Sequence, residues 1–180
     1  MHRRCLLSLL ETYRPLEAAD DQARGRIAAF VRANTDCFQR TLLEGHVTGS
    51  AWIVNASRSR CLLTHHRKLE RWLQLGGHAD GQSDILDVAV REAREESGLS
   101  TLRVVSTSIF DCDVHRIPAR KDEPEHWHYD VRFLLEADDA EPLVLSEESK
   151  ELAWVALRNV ALLGGDASVV RMVAKTAPRS

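Results

Sequence analysis

Three glutamates and an arginine crowd one short stretch of the chain: Arg91, Glu92, Glu95 and Glu96. Their neighbours repeat at helical spacing from residue 84 to 97. At about 100° per residue, Ile85, Leu86, Ala89, Val90 and Ala93 fall in one arc that should pack on a core. Glu96 falls inside that arc, Glu92 at its edge and Glu95 beside them on the polar side. A run of acids is ordinarily a solvated face, but these lie on the wrong side for that. An ionised carboxylate on a packing face is costly unless paired, and Glu92 and Glu96, four apart, repel one another unless a cation lies between them. A divalent metal held by oxygen ligands accounts for the pattern. Gly76 and Gly77 permit close main-chain approach, so that the Gly77 carbonyl can face a ligand. Asp80-Gly81 is a turn signal. Ser83 is the expected N-cap, Asp84 suits the positive helix end, and Gly98 is the expected stop.

This segment resembles the Nudix box, Gly-x5-Glu-x7-Arg-Glu-apolar-x-Glu-Glu-x-Gly-apolar. It matches at Gly77 and then through Arg91-Glu92-Ala93-Arg94-Glu95-Glu96-Ser97-Gly98-Leu99, with Ser83 where the family has Glu. The likeness covers roughly residues 45 to 157, because Trp72-Leu73-Gln74-Leu75-Gly76-Gly77 leads into the box and Leu152-Ala153-Trp154-Val155 resembles a late strand of the family. It implies an α/β fold, a Nudix-type α/β/α sandwich with a mixed sheet. It also implies an Mg2+-dependent (or Mn2+-dependent) pyrophosphohydrolase, in which metal-activated water cleaves a diphosphate bond in a nucleoside diphosphate linked to another moiety. Glu92, Glu95 and Glu96, with Gly77, would hold the metal. Arg91 and Glu95 would be catalytic, together with an acid from the loop before Trp154, where Glu148 is the candidate and Glu147 nearly as good. The missing Glu at Ser83 removes a usual partner of Arg91; Asp87 and Glu95, each four residues away, can replace it.

Two other readings share the fold. Isopentenyl-diphosphate isomerases use a histidine-rich metal site and a His after a Cys-Gly pair, but here the triplet is Gly76-Gly77-His78 and the thiol is missing. A Nudix-like nucleotide-binding module without catalysis is the other, with Ser83 as its only lesion.

Further along, residues 126 to 133 alternate sharply. His126, His128, Asp130 and Arg132 share one face; Trp127, Tyr129, Val131 and Phe133 take the other, a core face. Asp111, Asp113 and His115 line up in the same way on the preceding strand. With His78 beside the glycines and His65-His66 in an earlier strand, these side chains suggest a polar cavity that binds substrate. His78, His115, His126, His128, Asp130 and Arg132 are its candidates, and it could take phosphate or a second metal.

The 180 residues suffice for one domain with a substantial core plus an extension. A helical extension at 1 to 44, broken near Pro15 and with a second helix at about 20 to 34, should precede a catalytic domain at 45 to 180. Strands are expected at about 47–55, 60–65, 102–115, 127–136 and 151–156, and short helices at 158–163 and 167–176. The net charge of -3 argues against nucleic acid as a partner, leaving a small-molecule nucleotide. The basic, then apolar start stops at Glu11 without a cleavage site, and no stretch reaches the roughly 20 apolar residues of a membrane span. Four scattered cysteines, Cys5, Cys37, Cys61 and Cys112, read as reduced thiols. A cytoplasmic enzyme is therefore expected, and the N-terminal helices offer a surface on which two copies could pair.

Overall fold

The computed structural model describes residues 2–67, 69–119, 124–146, 149–164 and 166–176. Two helices, α1 (Arg4–Thr12) and α2 (Ala18–Ala33), precede strands β1 (Gly45–Asn55), β2 (Arg60–His66), β3 (Arg71–Leu73) and β4 (Leu75–His78). Helix α3 (Ile85–Ser97) follows. Then come β5 (Arg103–Val104), β6 (Asp111–Ile117), β7 (His126–Ala137), β8 (Ser149–Ala156), a 3-10 helix (Leu157–Leu163) and α4 (Ala167–Thr176).

The sheet is mixed, and β1 is its spine. All eleven of its residues are buried, and it pairs in parallel with β7 from Gly45↔Trp127 to Asn55↔Ala137. A strand with partners on both edges and layers on both faces must be buried throughout. The hairpin of β1 and β2 pairs only beside its turn, at Ile53↔Leu62 and Val54↔Cys61. Farther along, β3 pairs with β2 and β4 pairs with β1. On the outer edge of β7, β6 pairs near its start and β5 near its end.

Each face of the sheet carries helices. Gly49 lies directly under α3: a Cβ there would come within 2.9 Å of the Ile85 carbonyl and 3.0 Å of Val88. The N-terminal helices share this side's core. Leu6, Leu10, Ile27, Phe30 and Val31 join Val47, Val131 and Phe133 in one cluster, and Phe30 stacks on Tyr129 at 3.8 Å. On the opposite face Trp52, Val54, Leu63 and Leu134 pack against Val160, Val169 and Met172. The result is the α/β/α sandwich expected from the sequence. Among the described residues no helix is long and apolar enough to cross a membrane.

The strand expected over 102–115 is two pieces. Between Val104↔Leu135 and Asp111↔Arg132, β7 advances three residues while its partner advances seven, so the Ser106–Thr107–Ser108 region loops out. The strands β3 and β4, in contrast, occupy a stretch read only as a lead into the box.

Candidate active site

The box helix is held against the turn that precedes it. Strand β4 pairs with β1 at Gly77↔Gly49 and Gly76↔Ser50, which puts the glycine backbone under α3. A Cβ on Gly77 would sit 2.3 Å from Glu92 Oε2, so only glycine leaves room for that carboxylate. The Gly76 N–H donates to Glu96 Oε2 at 3.3 Å. Arg91 donates to Glu92 Oε1 at 2.6 Å, to Glu95 Oε2 at 3.4 Å, and to the His78 carbonyl at 2.9 Å. One guanidinium thus ties two acids of the helix to the turn before it. Asp87 is not among the Arg91 partners; Glu95 alone of the two expected substitutes reaches it.

Glu96 is 7% exposed, although it is a carboxylate, while the Glu95 side chain is 60% exposed. The acids therefore run from the packed side of α3 to its solvent edge, as the helical projection requires. Gly98 ends the helix in the left-handed conformation at φ 72°, its N–H bonded to the Arg94 carbonyl at 2.8 Å. Glu147 and Glu148 lie outside the described residues.

The N-cap is Asp84, not Ser83. The Asp84 side chain accepts from the Asp87 N–H at 3.3 Å, and Asp84 keeps extended backbone angles. Both residue types cap helices, and the choice falls to the one whose oxygen meets the third amide of the first turn. Asp84→Ala should therefore cost about 1 kcal/mol of stability, and Ser83→Ala less than about 0.5 kcal/mol, as for a surface change. Urea unfolding of both variants checks this, and equal losses would contradict the assignment.

The histidines form a ladder across four strands. His115 of β6 faces His128 of β7, which faces His46 of β1, while His78 of β4 faces Thr48. Ring centroids lie 4.9 Å apart for His46 with each of His78, His126 and His128, and 5.1 Å apart for His128 with both His78 and His126. His115 is 5.5 Å from His128. The sequence placed four of these five side chains; it missed His46, because β1 was read as starting at Val47. The alternation of Thr48 and Ser50 on one face, extended one step back, would have included it. His65 and His66 sit elsewhere on β2: the His65 ring is 5.3 Å from Trp72, and His66 Nδ1 accepts from the Leu69 N–H at 3.2 Å.

Burial, reinforced by Arg40 and His46 nearby, brings the His78 imidazole down to about 4, and burial among the other histidines pushes His128 down as well. Both rings are neutral at pH 7. Burial alone would raise the Asp113 carboxyl, but a hydrogen bond with His115 and the charge of Arg132 bring it to about 2.

Asp130 and Arg132 lie on the same polar face, one and two steps deeper. Arg132 donates from Nε to Asp130 Oδ2 at 2.7 Å and from Nη1 to Asp111 Oδ2 at 3.1 Å, and pairs with Asp113 at 3.3 Å. It is 2% exposed and Asp130 is 1% exposed. Asp130 also accepts from Thr48, Ser50 and Gln74. Their charges are taken up inside the fold. Arg171 and Lys175 of α4 and Asp20 of α2 extend the same network.

The NUDIX domain family matches residues 46–175. The chain belongs to the Nudix family. Solved structures with the same fold include the C. elegans Ap4A hydrolase binary complex. It is 17% identical, with a TM-score of 0.57 over 72% of this chain and 93% of that one. A Nudix hydrolase from M. smegmatis is 22% identical, with a TM-score of 0.54 over 76% and 90%. A NUDIX-family hydrolase from Clostridium perfringens is likewise 22% identical, at 0.55 over 73% and 95%. No curated protein matches the chain. The Nudix match starts at His46, so α1 and α2 lie before it, although they share its core.

Proposed function

We propose that this Nudix protein hydrolyses a diphosphate bond in a nucleoside diphosphate linked to another moiety, using Mg2+ or Mn2+. The observation that carries this reading is Glu96, a buried carboxylate on the packed side of α3, gathered with Glu92 against the glycine turn. An all-oxygen donor set of Glu92, Glu95, Glu96 and the Gly77 carbonyl suits a hard cation. When bound, the ion supplies neutralisation of diphosphate charge and polarisation of the attacking water.

The chain's own residues hold and orient. Arg91 keeps Glu92 and Glu95 at a fixed spacing and anchors both to the His78 carbonyl, so the acids need no reorganisation when charge develops on phosphate. Glu95, the exposed acid, accepts the water's proton in this reading, and Glu148 is the second candidate for that role. The histidines of the ladder, His115 included, lie on the face of the sheet away from α3, apart from these acids.

A phosphate-release panel of dinucleotides, nucleotide sugars, nucleoside triphosphates and coenzyme A tests the reading. Release should require Mg2+ or Mn2+ and stop with a chelator. Binding without turnover of any member would instead support a nucleotide-binding module.

A further inference from the structure

We propose that His46, His78 and His128 form a second metal centre, of the Zn2+ class, with His126 in the fourth position. It is separate from the carboxylate site of α3 and does not depend on that reading. One ligand atom from each of His46, His78 and His128 lies within 4.8 Å of the other two. The three come from three neighbouring strands, so the sheet itself, rather than a loop, brings them together.

The ring nitrogens are prepared for a cation. A buried imidazole ordinarily satisfies both nitrogens with protein hydrogen bonds. His78 Nε2 is buried with no hydrogen-bond partner among the described residues, a costly arrangement if nothing meets it. His126 Nδ1 lies 2.9 Å from the Pro124 carbonyl, an oxygen that can only accept, so Nδ1 carries the proton and Nε2 presents a lone pair. That Nε2 is 3.2 Å from His128 Nε2. Two nitrogens on one tetrahedral zinc, at bonds of 2.0–2.1 Å, are about 3.3 Å apart. A backbone carbonyl on the far nitrogen is also how ligating histidines are usually oriented.

An all-imidazole set selects the ion. Neutral nitrogen donors suit Zn2+, Cu2+, Ni2+ or Fe2+, whereas Mg2+ prefers oxygen. A plain core of mutually packed histidines would explain the ring contacts and the hydrogen bond between His126 and His128, but it leaves His78 Nε2 unmet. The centre would also steady the reaction site, because His78 follows Gly77, against which Glu92 rests, and its carbonyl accepts from Arg91.

The test is a Co2+ and Zn2+ titration of untagged, chelator-treated full-length protein. One equivalent of Co2+ should bind with the intense visible absorption of tetrahedral coordination, yield to Zn2+, and resist excess Mg2+. His46→Gln and His128→Gln should each weaken Zn2+ binding by more than about 100-fold, beyond the 10–100-fold typical of an outer-shell partner. His65→Gln and Glu96→Gln should leave the absorption unchanged, which separates this centre from the acids of α3. If the ligand variants do not fold, imidazole 15N shifts in the wild type on adding Zn2+ decide, with His46, His78, His126 and His128 expected to move together. No tight equivalent, an octahedral spectrum, displacement by Mg2+, or shifts confined to other histidines would overturn the proposal.

Discussion

Glu96→Gln is expected to lower turnover at least about 100-fold, equivalent to roughly 2.7 kcal/mol of transition-state stabilisation, while the protein folds as before. Glu96 lies between Ile85 and Ala89 on the packing side of α3 and is nearly buried. Its Oε2 accepts the Gly76 N–H, and the amide oxygen of Gln can accept the same hydrogen bond. The substitution therefore keeps shape and polarity, removes one negative charge, and relieves repulsion with Glu92 four residues earlier. What it takes away is a hard anionic ligand, which an amide replaces poorly for Mg2+. Steady-state kinetics on the substrate found in the panel, with thermal melting alongside, gives the answer. Turnover within about threefold of wild type at an unchanged melting temperature would take Glu96 out of the metal site.

The legible parts of this fold are those governed by local rules. Helix α3 could be read to within one residue because its apolar period, its capping residues and Gly98 all agree; only the choice between Ser83 and Asp84 needed three-dimensional contact. The polar file of β7 was legible from its strict alternation. Strands β3 and β4 were not, because two glycines interrupt the stretch and nothing local demands pairing. They exist because β1 and β2 part beyond Ile53↔Leu62 and leave edges to fill. His46 was lost with a boundary one residue late. The depth of Asp130 and Arg132 was invisible for a different reason. Alternation tells which side chains share a face but not what covers it, and here α4 and the start of α2 do so from opposite ends of the chain. Lys175 reaches Asp20 across 155 residues, a contact that no spacing rule anticipates.

That covered network sets the second large effect: Arg132→Met should destabilise the protein by about 3–5 kcal/mol, the cost of removing one partner from a buried ion pair. Arg132 meets Asp111, Asp113 and Asp130 with one guanidinium, and these carboxylates hold its proton more firmly although burial opposes the charge. Asp111 keeps Arg171 and Lys175 after the substitution, so its loss is partial. Asp130 keeps only the neutral donors of Thr48, Ser50 and Gln74, and a full negative charge inside the sheet is then poorly compensated. Arg132→Lys should fall between wild type and Arg132→Met, since an ammonium preserves charge but not the planar fork that meets three acids at once. Adding Asp130→Asn to Arg132→Met should recover part of the loss, as the unpaired charge disappears with it. Urea unfolding at neutral pH in metal-free buffer measures all three, with an unchanged m-value as the condition for comparing them. A loss below about 1 kcal/mol for Arg132→Met would mean that water reaches these aspartates, and that the polar face is an open channel rather than a sealed support for the histidines above it.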